Sequence, residues 1–223
     1  MGLGDRLRSF GRAALELVYP TRCCFCHRLT GRDVPVCPAC ARKYPDVPLP
    51  MQEQRFRHLE RCVSPLWYAG DVRASLLRYK FRGLTGSAAV YGDFLRKCLD
   101  ENGISCDSIT WVPLSRRRLR ERGYDQARLL AEAIARGRET ACEKLLEKRR
   151  DTPAQSGLGG REARRANAAG AYRVCDADAV RGKRVLLVDD IVTTGETLME
   201  CARVLKVAGA AGVTAVTVAR KKE

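Results

Sequence analysis

The segment VLLVDDIVTTGET, from Val185 to Thr197, constrains the fold more than any other part of the sequence. Its first four residues are all apolar, whereas a strand with one solvent-exposed face alternates apolar and polar residues. The run therefore predicts a strand buried on both faces, as in a parallel sheet covered by helices. Two neighbouring carboxylates, Asp189 and Asp190, end this strand at the sheet edge where α/β proteins bind their ligands.

Residues 109–223 repeat this pattern of strand and helix. The segments ITWVPL, GKRVLLVDD and VTAVTVAR are predicted strands, and YDQARLLAEAIARG and GETLMECARVLKVAGA are predicted helices. Alternation of this kind predicts an α/β domain whose parallel sheet is flanked by helices. The polar, Arg- and Gly-rich stretch between Glu143 and Ala171 is predicted to be a long loop, which in a compact domain is usually functional or mobile.

Residues 1–108 precede this domain and divide into three parts. Apolar residues at helical spacing predict an amphipathic helix in residues 1–19, and five cysteines fall within the turn-rich residues 20–50. The segment DVPLPMQEQRFRH is interpreted as a linker. Residues 51–108 contain two further predicted helices, DVRASLLRYKFRG and SAAVYGDFLRKCLDENG, and are expected to form a helical connecting or cap region.

Two CxxC pairs, separated by ten residues, predict a small zinc module. Each CxxC turn places two sulfurs within reach of one tetrahedral ion, and two such turns complete a closed structural site. The predicted ligands are Cys23, Cys26, Cys37 and Cys40. His27 is a possible substitute ligand, whereas Cys24 and the six scattered cysteines are interpreted as packing residues.

The net charge of +15 and the eleven cysteines bear on partners and location. A charge this large is typical of proteins that bind phosphates or nucleic acid, although a generally basic solvated surface explains it equally well. The sequence contains no stretch of the ~20 apolar residues that a membrane span requires and no signal peptide. We therefore expect a cytoplasmic protein with reduced thiols.

The residues after the acidic pair are suited to holding a phosphate. Small residues allow close approach of the backbone, threonine hydroxyls add donors, and the next helix presents free N–H groups at its positive end. Two adjacent carboxylates can accept hydrogen bonds from the vicinal hydroxyls of a sugar or help to hold Mg²⁺. The alternative, that Asp190 and Thr193 or Thr194 cap a helix, accounts for only part of the run.

VLLVDDIVTTGET resembles the phosphoribosyl pyrophosphate loop of type I phosphoribosyltransferases. Together with WVPLSRRRLRERGYDQARLLAEAIA, RRDTPAQSGLGGREARRANAAGAYRV and the cysteine module, it makes the chain similar to the ComF family from Cys23 to Arg220. That family consists of competence-associated, phosphoribosyltransferase-like proteins with an N-terminal zinc finger. One departure is RGYDQ where the family has RGFNQ, which puts any anion contact by Asp125 in doubt.

The resemblance implies site residues in three segments and Mg²⁺ bound together with phosphoribosyl pyrophosphate. The ribose and 5′-phosphate residues would be Asp189, Asp190, Thr193, Thr194, Gly195 and Thr197. The pyrophosphate or anion-binding residues would be Ser115, Arg116, Arg118 and Arg122. The alternative interpretation of this segment is the solvent-exposed start of a helix. The flexible loop that closes over the ligand would include Arg150, Gln155, Arg161, Arg165 and Asn167, with plain disorder as the alternative.

Aromatic and basic residues alternate within the connecting region. This composition suits stacking on single-stranded nucleic acid, and packing between domains explains the aromatics equally well. The aromatic candidates are Phe56, Trp67, Tyr68, Tyr79, Phe81 and Tyr91. A base-recognising cap, if there is one, is expected to come from residues 1–108, because only Lys221, Lys222 and Glu223 follow the last predicted strand.

Three functions fit these observations. The first hypothesis is a module that binds phosphoribosyl pyrophosphate and single-stranded DNA in DNA uptake and transformation, in company with DNA-uptake or processing proteins. The second is an active phosphoribosyltransferase that acts on an unknown base or nucleotide-related acceptor. The third, an inactive zinc-stabilised adaptor, is disfavoured by the intact acidic pair and TTG loop.

Overall fold

The computed structural model of the chain describes residues 20–150 and 168–222. Contacts divide the chain into two units, Met1–Tyr44 and Pro45–Glu223. The helix predicted for residues 1–19 lies outside the described residues.

The smaller unit is built around the cysteine turns. A bridge between Arg22 and Leu29 closes the first turn, and helix α1 (Pro38–Lys43) starts after Cys37 with a proline in its first turn, where the missing N–H costs nothing. The rings of Phe25 and Tyr44 lie 4.4 Å apart and form much of its small apolar core.

The larger unit contains most of the regular structure in the described ranges. Its helices are α2 (Leu49–Gln52), α3 (Gly70–Phe81), α4 (Ser87–Glu101), α5 (Arg116–Arg122), α6 (Gln126–Arg136) and α7 (Glu196–Val207). Its strands are β1 (Glu53–Gln54), β2 (Arg61–Val63), β3 (Leu66–Trp67), β4 (Ser108–Trp111), β5 (Leu146–Lys148), β6 (Tyr172–Val174), β7 (Arg184–Val192) and β8 (Gly212–Arg220).

The main sheet is mostly parallel, with strand order β1-β2-β8-β7-β4 and with β3 also paired to β8. Strands β2, β3 and β7 run parallel to β8, and β4 runs parallel to β7. Among the described strands of this sheet, only β1 is antiparallel to its partner, β2. This arrangement confirms the predicted fold class. The three predicted strands correspond to β4, β7 and β8.

Helices cover both faces of the sheet. Because side chains alternate along a strand, Val185 and Leu187 of β7 point into the core that contains residues of α7. Leu186 and Val188 point to the opposite face, where α4 packs on α6 and α6 packs on β4 and β7. All four side chains are fully or almost fully buried, as the unbroken apolar run predicts.

The structure corrects two predictions made from composition. DVPLPMQEQRFRH is not a linker, because it includes α2 and the edge strand β1. Its Gln52 is buried and donates to the Val47 carbonyl, while its amide oxygen accepts from Asn102 at 2.8 Å. The predicted long loop is shorter than expected, since β5 and β6 pair as an antiparallel hairpin at its two ends.

Asp125 has a structural role that accounts for a carboxylate at this position. It is the N-cap of α6, and its Oδ1 accepts from the N–H groups of Ala127 and Arg128. Its Oδ2 accepts from the N–H of Leu114 at 3.1 Å, which ties the segment after β4 to the start of α6. An asparagine would retain one acceptor oxygen and lose the other. Burial raises the pKa of Asp125.

We expect Asp125→Ala to lower the free energy of unfolding by about 1–3 kcal/mol, because the helix loses its cap and the buried Leu114 N–H loses its acceptor. Asp125→Asn should cost less, since it keeps the cap. Urea denaturation followed by circular dichroism measures both changes. Asp93→Ala, which removes an exposed carboxylate paired with Arg96, is the matched control and should stay within about 0.5 kcal/mol. Equal losses at the two positions would contradict the capping role.

Candidate functional site

The acidic pair lies where β7 reaches the edge of the sheet, and its two carboxylates face different surroundings. Asp190 is 3% exposed, whereas Asp189 is half-buried. Oδ1 of Asp189 accepts a hydrogen bond from the N–H of Asp190 at 2.8 Å. Burial and the neighbouring charge of Asp190 raise the pKa of Asp189 well above its ordinary value, and the charge of Lys80 partly offsets this rise.

Lys80 is a site residue that sequence reasoning did not assign to the acidic pair. Its Nζ lies 2.9 Å from Oδ2 of Asp190. The last turn of α3 is held in place by Tyr79, whose buried hydroxyl donates to the Gln126 carbonyl at 2.8 Å. Since Lys80 and Asp190 are 110 positions apart in the chain, no local sequence signal identifies this pair.

Thr193, Thr194 and Gly195 form the turn between β7 and α7, and Thr197 lies in the first turn of α7. Gly195 has a φ of +74°, in the left-handed region that favours glycine. A Cβ at this position would lie 2.4 Å from the ring of Phe56, so the glycine also permits a close contact. The Thr194 hydroxyl is buried and has no hydrogen-bond partner among the described residues. A buried hydroxyl without a partner costs free energy, and a ligand oxygen would satisfy it.

A second polar feature lies next to the start of α5. An open cavity of about 330 Å³ is lined by Ser115, Arg116, Glu147, Lys148, Arg149 and Arg173. Four of these six residues are cationic, and the carboxylate of Glu147 is paired with Arg173, which lowers the pKa of Glu147. Ser115 caps α5 by accepting from the Arg118 N–H at 3.4 Å. The cavity therefore presents an excess of positive charge to a ligand.

Only some of the predicted anion-binding residues line the basic cavity. Ser115 and Arg116 line the cavity. Arg118 is half-buried near Tyr172; burial raises the pKa of that tyrosine, and the charge of Arg118 opposes the rise. Arg122 points elsewhere, with its guanidinium 5.1 Å from the centre of the Phe81 ring and hydrogen-bonded to Gln126. The cavity residues Lys148, Arg149 and Arg173 were not among the predicted anion-binding residues. Lys148 lies in β5 and Arg173 in β6, two strands that the sequence did not predict.

Most of the predicted flexible-loop residues cannot be placed. Gln155, Arg161, Arg165 and Asn167 lie outside the described residues. Arg150, at the start of that segment, donates from its guanidinium to the Ala169 carbonyl.

The aromatic candidates of the connecting region separate by exposure. Tyr79 and Tyr91 are fully buried and pack edge-to-face at 5.5 Å, so packing, the alternative to base stacking, accounts for these two. Trp67 lies beneath the guanidinium of Arg220, and Phe56 covers Gly195. Phe81 is 65% exposed.

The four predicted zinc ligands form one cluster, with all four sulfurs within 4.8 Å of one another. Tetrahedral coordination with Zn–S bonds of about 2.3 Å separates two sulfurs by about 3.8 Å; the Sγ atoms of Cys26 and Cys37 lie 3.8 Å apart. Burial tends to raise the pKa of the Cys23 thiol, but backbone N–H groups directed at its sulfur outweigh this and lower the pKa to about 6. Burial raises the pKa of Cys26 and of Cys40, so among these Cys23 is the sulfur most disposed to the thiolate form. The spacing of the four sulfurs fits a structural zinc ion.

The other cysteines are only partly the packing residues that were predicted. Cys62, Cys98 and Cys201 are buried, whereas Cys106 and Cys142 are half-buried and Cys175 is exposed. The packing interpretation is therefore wrong for Cys175.

We expect Asp189→Asn to stabilise the protein at neutral pH and above. The raised pKa of Asp189 gives the folded state a proton-binding advantage that is fully present below the unfolded-state pKa of about 4 and is lost as the pH rises through the folded-state pKa. The neutral amide avoids this loss. Denaturation from pH 4 to pH 8 should show an advantage of the variant that grows as the pH rises. A constant difference across this range would refute the interpretation, and Asp93→Asn is the exposed control.

We expect one zinc ion per chain. Metal analysis of purified protein should give a ratio near one, and Cys37→Ser should lower it, because a closed site needs all four thiolates. Removing the metal with a chelator should increase hydrogen exchange in residues 20–44, whose folding depends on the ion. Cys175→Ser removes an exposed thiol and should leave the metal content unchanged; loss of metal in this control would count against the four-cysteine assignment.

Comparison with known proteins places these features in a family. Residues 131–223 match the phosphoribosyl transferase domain model. The chain is 30% identical over 210 residues to DNA utilization protein YhgH of Escherichia coli K12, a match that covers 91% of each protein. It is 33% identical over 105 residues to competence protein F of Haemophilus influenzae, with 46% and 45% of the two chains covered.

Among solved structures, the chain is similar to glutamine phosphoribosylpyrophosphate amidotransferase from B. subtilis, with a TM-score of 0.44 and 20% identity. That match covers 63% of this chain but 30% of the amidotransferase. Within the described ranges, no helix is both long and apolar enough to cross a membrane.

The cysteine cluster, the mostly parallel sheet and the long match to the E. coli protein lead to one assignment: the chain belongs to the ComF family of phosphoribosyltransferase-like proteins.

Proposed function

We propose that residues 109–223 bind phosphoribosyl pyrophosphate together with Mg²⁺. The observation that supports this most strongly is the combination of an acidic pair with a buried, unpartnered Thr194 hydroxyl at the start of a helix. Asp189 and Asp190 would accept hydrogen bonds from the ribose hydroxyls. Thr193, Thr194, Gly195 and Thr197, with the free N–H groups of α7, would hold the 5′-phosphate.

The basic cavity would receive the other end of the ligand. Ser115 and Arg116 line it together with Lys148, Arg149 and Arg173. Arginine suits a diphosphate because its planar guanidinium forms paired, charge-assisted hydrogen bonds. Mg²⁺ prefers oxygen ligands and binds substrate phosphates together with one or two carboxylates, so it would enter as part of the ligand complex beside the acidic pair.

Lys80 gives the acidic pair a counter-charge before the ligand arrives. Asp190 is almost fully buried, and a buried carboxylate is stabilised by a paired cation. In this proposal a ribose hydroxyl either shares the Asp190 carboxylate with Lys80 or displaces the ammonium from it. Residues 51–108, which carry Lys80, would then contribute to the site as the cap region, while the cysteine turns before Pro45 would form the zinc module.

The proposed biological role is the uptake or utilization of DNA in the cytoplasm. It rests on the names of two relatives, a DNA utilization protein and a competence protein. The net charge of +15 suits a nucleic-acid partner, and single-stranded DNA is the proposed one. None of the eleven cysteines, all of which lie in the described ranges, forms a disulfide, which suits a reducing compartment.

The alternative is an active transferase that joins the phosphoribosyl group to an acceptor and releases pyrophosphate. A complete diol-and-phosphate site favours it, because such a site would position C1 of the ribose for attack. Incubation with phosphoribosyl pyrophosphate, Mg²⁺ and a panel of bases and oligonucleotides distinguishes the two functions. Release of pyrophosphate that depends on an acceptor would establish the transferase.

Titration calorimetry with phosphoribosyl pyrophosphate and Mg²⁺ tests the site directly. We expect a measurable heat of binding for the natural protein and none for the variant that combines Asp189→Asn with Asp190→Asn. Thr194→Val removes the unpartnered hydroxyl and keeps the side-chain shape, so it should weaken binding about tenfold without destabilising the fold. Asp93→Asn is the charge control and should bind normally. Absence of binding to the natural protein would overturn the site assignment.

A further inference from the structure

Phe81 is the last residue of α3 and is exposed, whereas the two residues before it make buried or charged contacts. Tyr79 is fully buried against α6, and Lys80 contacts Asp190. The next residue, Phe81, keeps 65% of its surface exposed. Single exposed apolar side chains are common on protein surfaces, but this ring keeps its apolar area available for a contact. It also directly follows the residue that pairs with Asp190.

The position of the Phe81 ring is defined by a cation. The guanidinium of Arg122 lies 5.1 Å from the ring centre, within the range of a cation–π interaction. Arg122 is itself held by a hydrogen bond to the buried Gln126. The end of α3 is further fixed by Tyr124, whose hydroxyl donates to the Tyr79 carbonyl. The ring is therefore an oriented surface that has retained most of its exposure.

The surroundings of this ring are basic and partly apolar. Leu84 is 39% exposed, and Leu119 is 42% exposed; Leu119 lies on the same face of α5 as Arg122, three residues away. Arg82 and Arg120 are exposed nearby in the chain. The acid of this helix, Glu121, is paired with Arg117. The neighbourhood of Phe81 thus combines an aromatic face with uncompensated positive charge.

We propose that Phe81 and Arg122 form a stacking platform for an unpaired base of single-stranded nucleic acid, with neighbouring arginines contacting its phosphates. This inference rests on the proposed nucleic-acid function and locates the binding surface for the single strand at the end of α3. The observations favour a nucleic acid over a protein or a membrane, because one oriented ring among cations suits a π-face with a phosphate backbone. A base-paired duplex keeps its bases stacked and would not use the ring.

Fluorescence anisotropy with a labelled oligothymidylate tests the platform in the full chain. Phe81→Ala should weaken single-strand binding at least about fivefold, because each stacked base contributes substantially to affinity. Phe81→Trp should preserve it. Arg122→Gln should weaken binding more than Arg120→Gln, the matched control that removes an equal charge from the same helix. Neither Phe81→Ala nor Arg120→Gln should alter the affinity for phosphoribosyl pyrophosphate measured by calorimetry.

A second readout reports stacking itself. The indole introduced by Phe81→Trp should be quenched by the single strand and much less by a duplex of the same sequence. If the natural protein binds the single strand and Phe81→Ala binds equally well, the platform is wrong while the proposed nucleic-acid function stands. If the natural protein does not bind the single strand at all, both fail. A change in sedimentation of Phe81→Ala without a change in DNA affinity would make the surface a protein contact and overturn the inference.

Discussion

The parallel pairing of β7 with β8 is the constraint on which the rest of the larger unit depends. The two strands are in register from Arg184 opposite Gly212 to Val192 opposite Arg220, and their buried side chains are the surfaces on which helices pack. Because side chains alternate along β7, its two final carboxylates point to opposite faces. The Asp189 side chain points to the same face as Val185 and Leu187, towards the core that includes α7. The Asp190 side chain points to the same face as Leu186 and Val188, where Lys80 contacts it.

This geometry places the Asp189 carboxylate in surroundings that disfavour its charge. Burial and the neighbouring charge of Asp190 raise the pKa of Asp189, so at neutral pH the ionised Asp189 lowers the stability of the fold. Lys80 relieves part of that cost through its contact with Asp190. Features that cost stability without a structural benefit are expected at functional sites. The buried Thr194 hydroxyl, four residues after Asp190, also costs stability because it has no hydrogen-bond partner among the described residues.

What the sequence could predict depended on how local each feature is. Four features are each complete within a few residues: the apolar run of β7, the acidic pair, the residues from Thr193 to Thr197 and the paired CxxC motifs. Their chemistry can therefore be inferred from the sequence alone. Lys80 and Phe56 reach the site from distant segments, and only tertiary packing shows that they do so. The composition of the residues after Asp190 indicates a turn. The requirement for glycine at position 195 comes in addition from the ring of Phe56, which belongs to a distant segment.

The distribution of charge within the site is more informative than the net charge of the chain. Asp125, Asp189 and Asp190 influence one another electrostatically, whereas Arg116, Lys148, Arg149 and Arg173 line the basic cavity. A simple polyanion such as a duplex backbone would be attracted to the cavity and repelled by the carboxylates. A ligand with hydroxyls at one position and phosphates at others satisfies both groups. A phosphorylated sugar has this polarity. The proposed function would therefore place phosphoribosyl pyrophosphate at the sheet edge and nucleic acid on a separate surface such as that around Phe81.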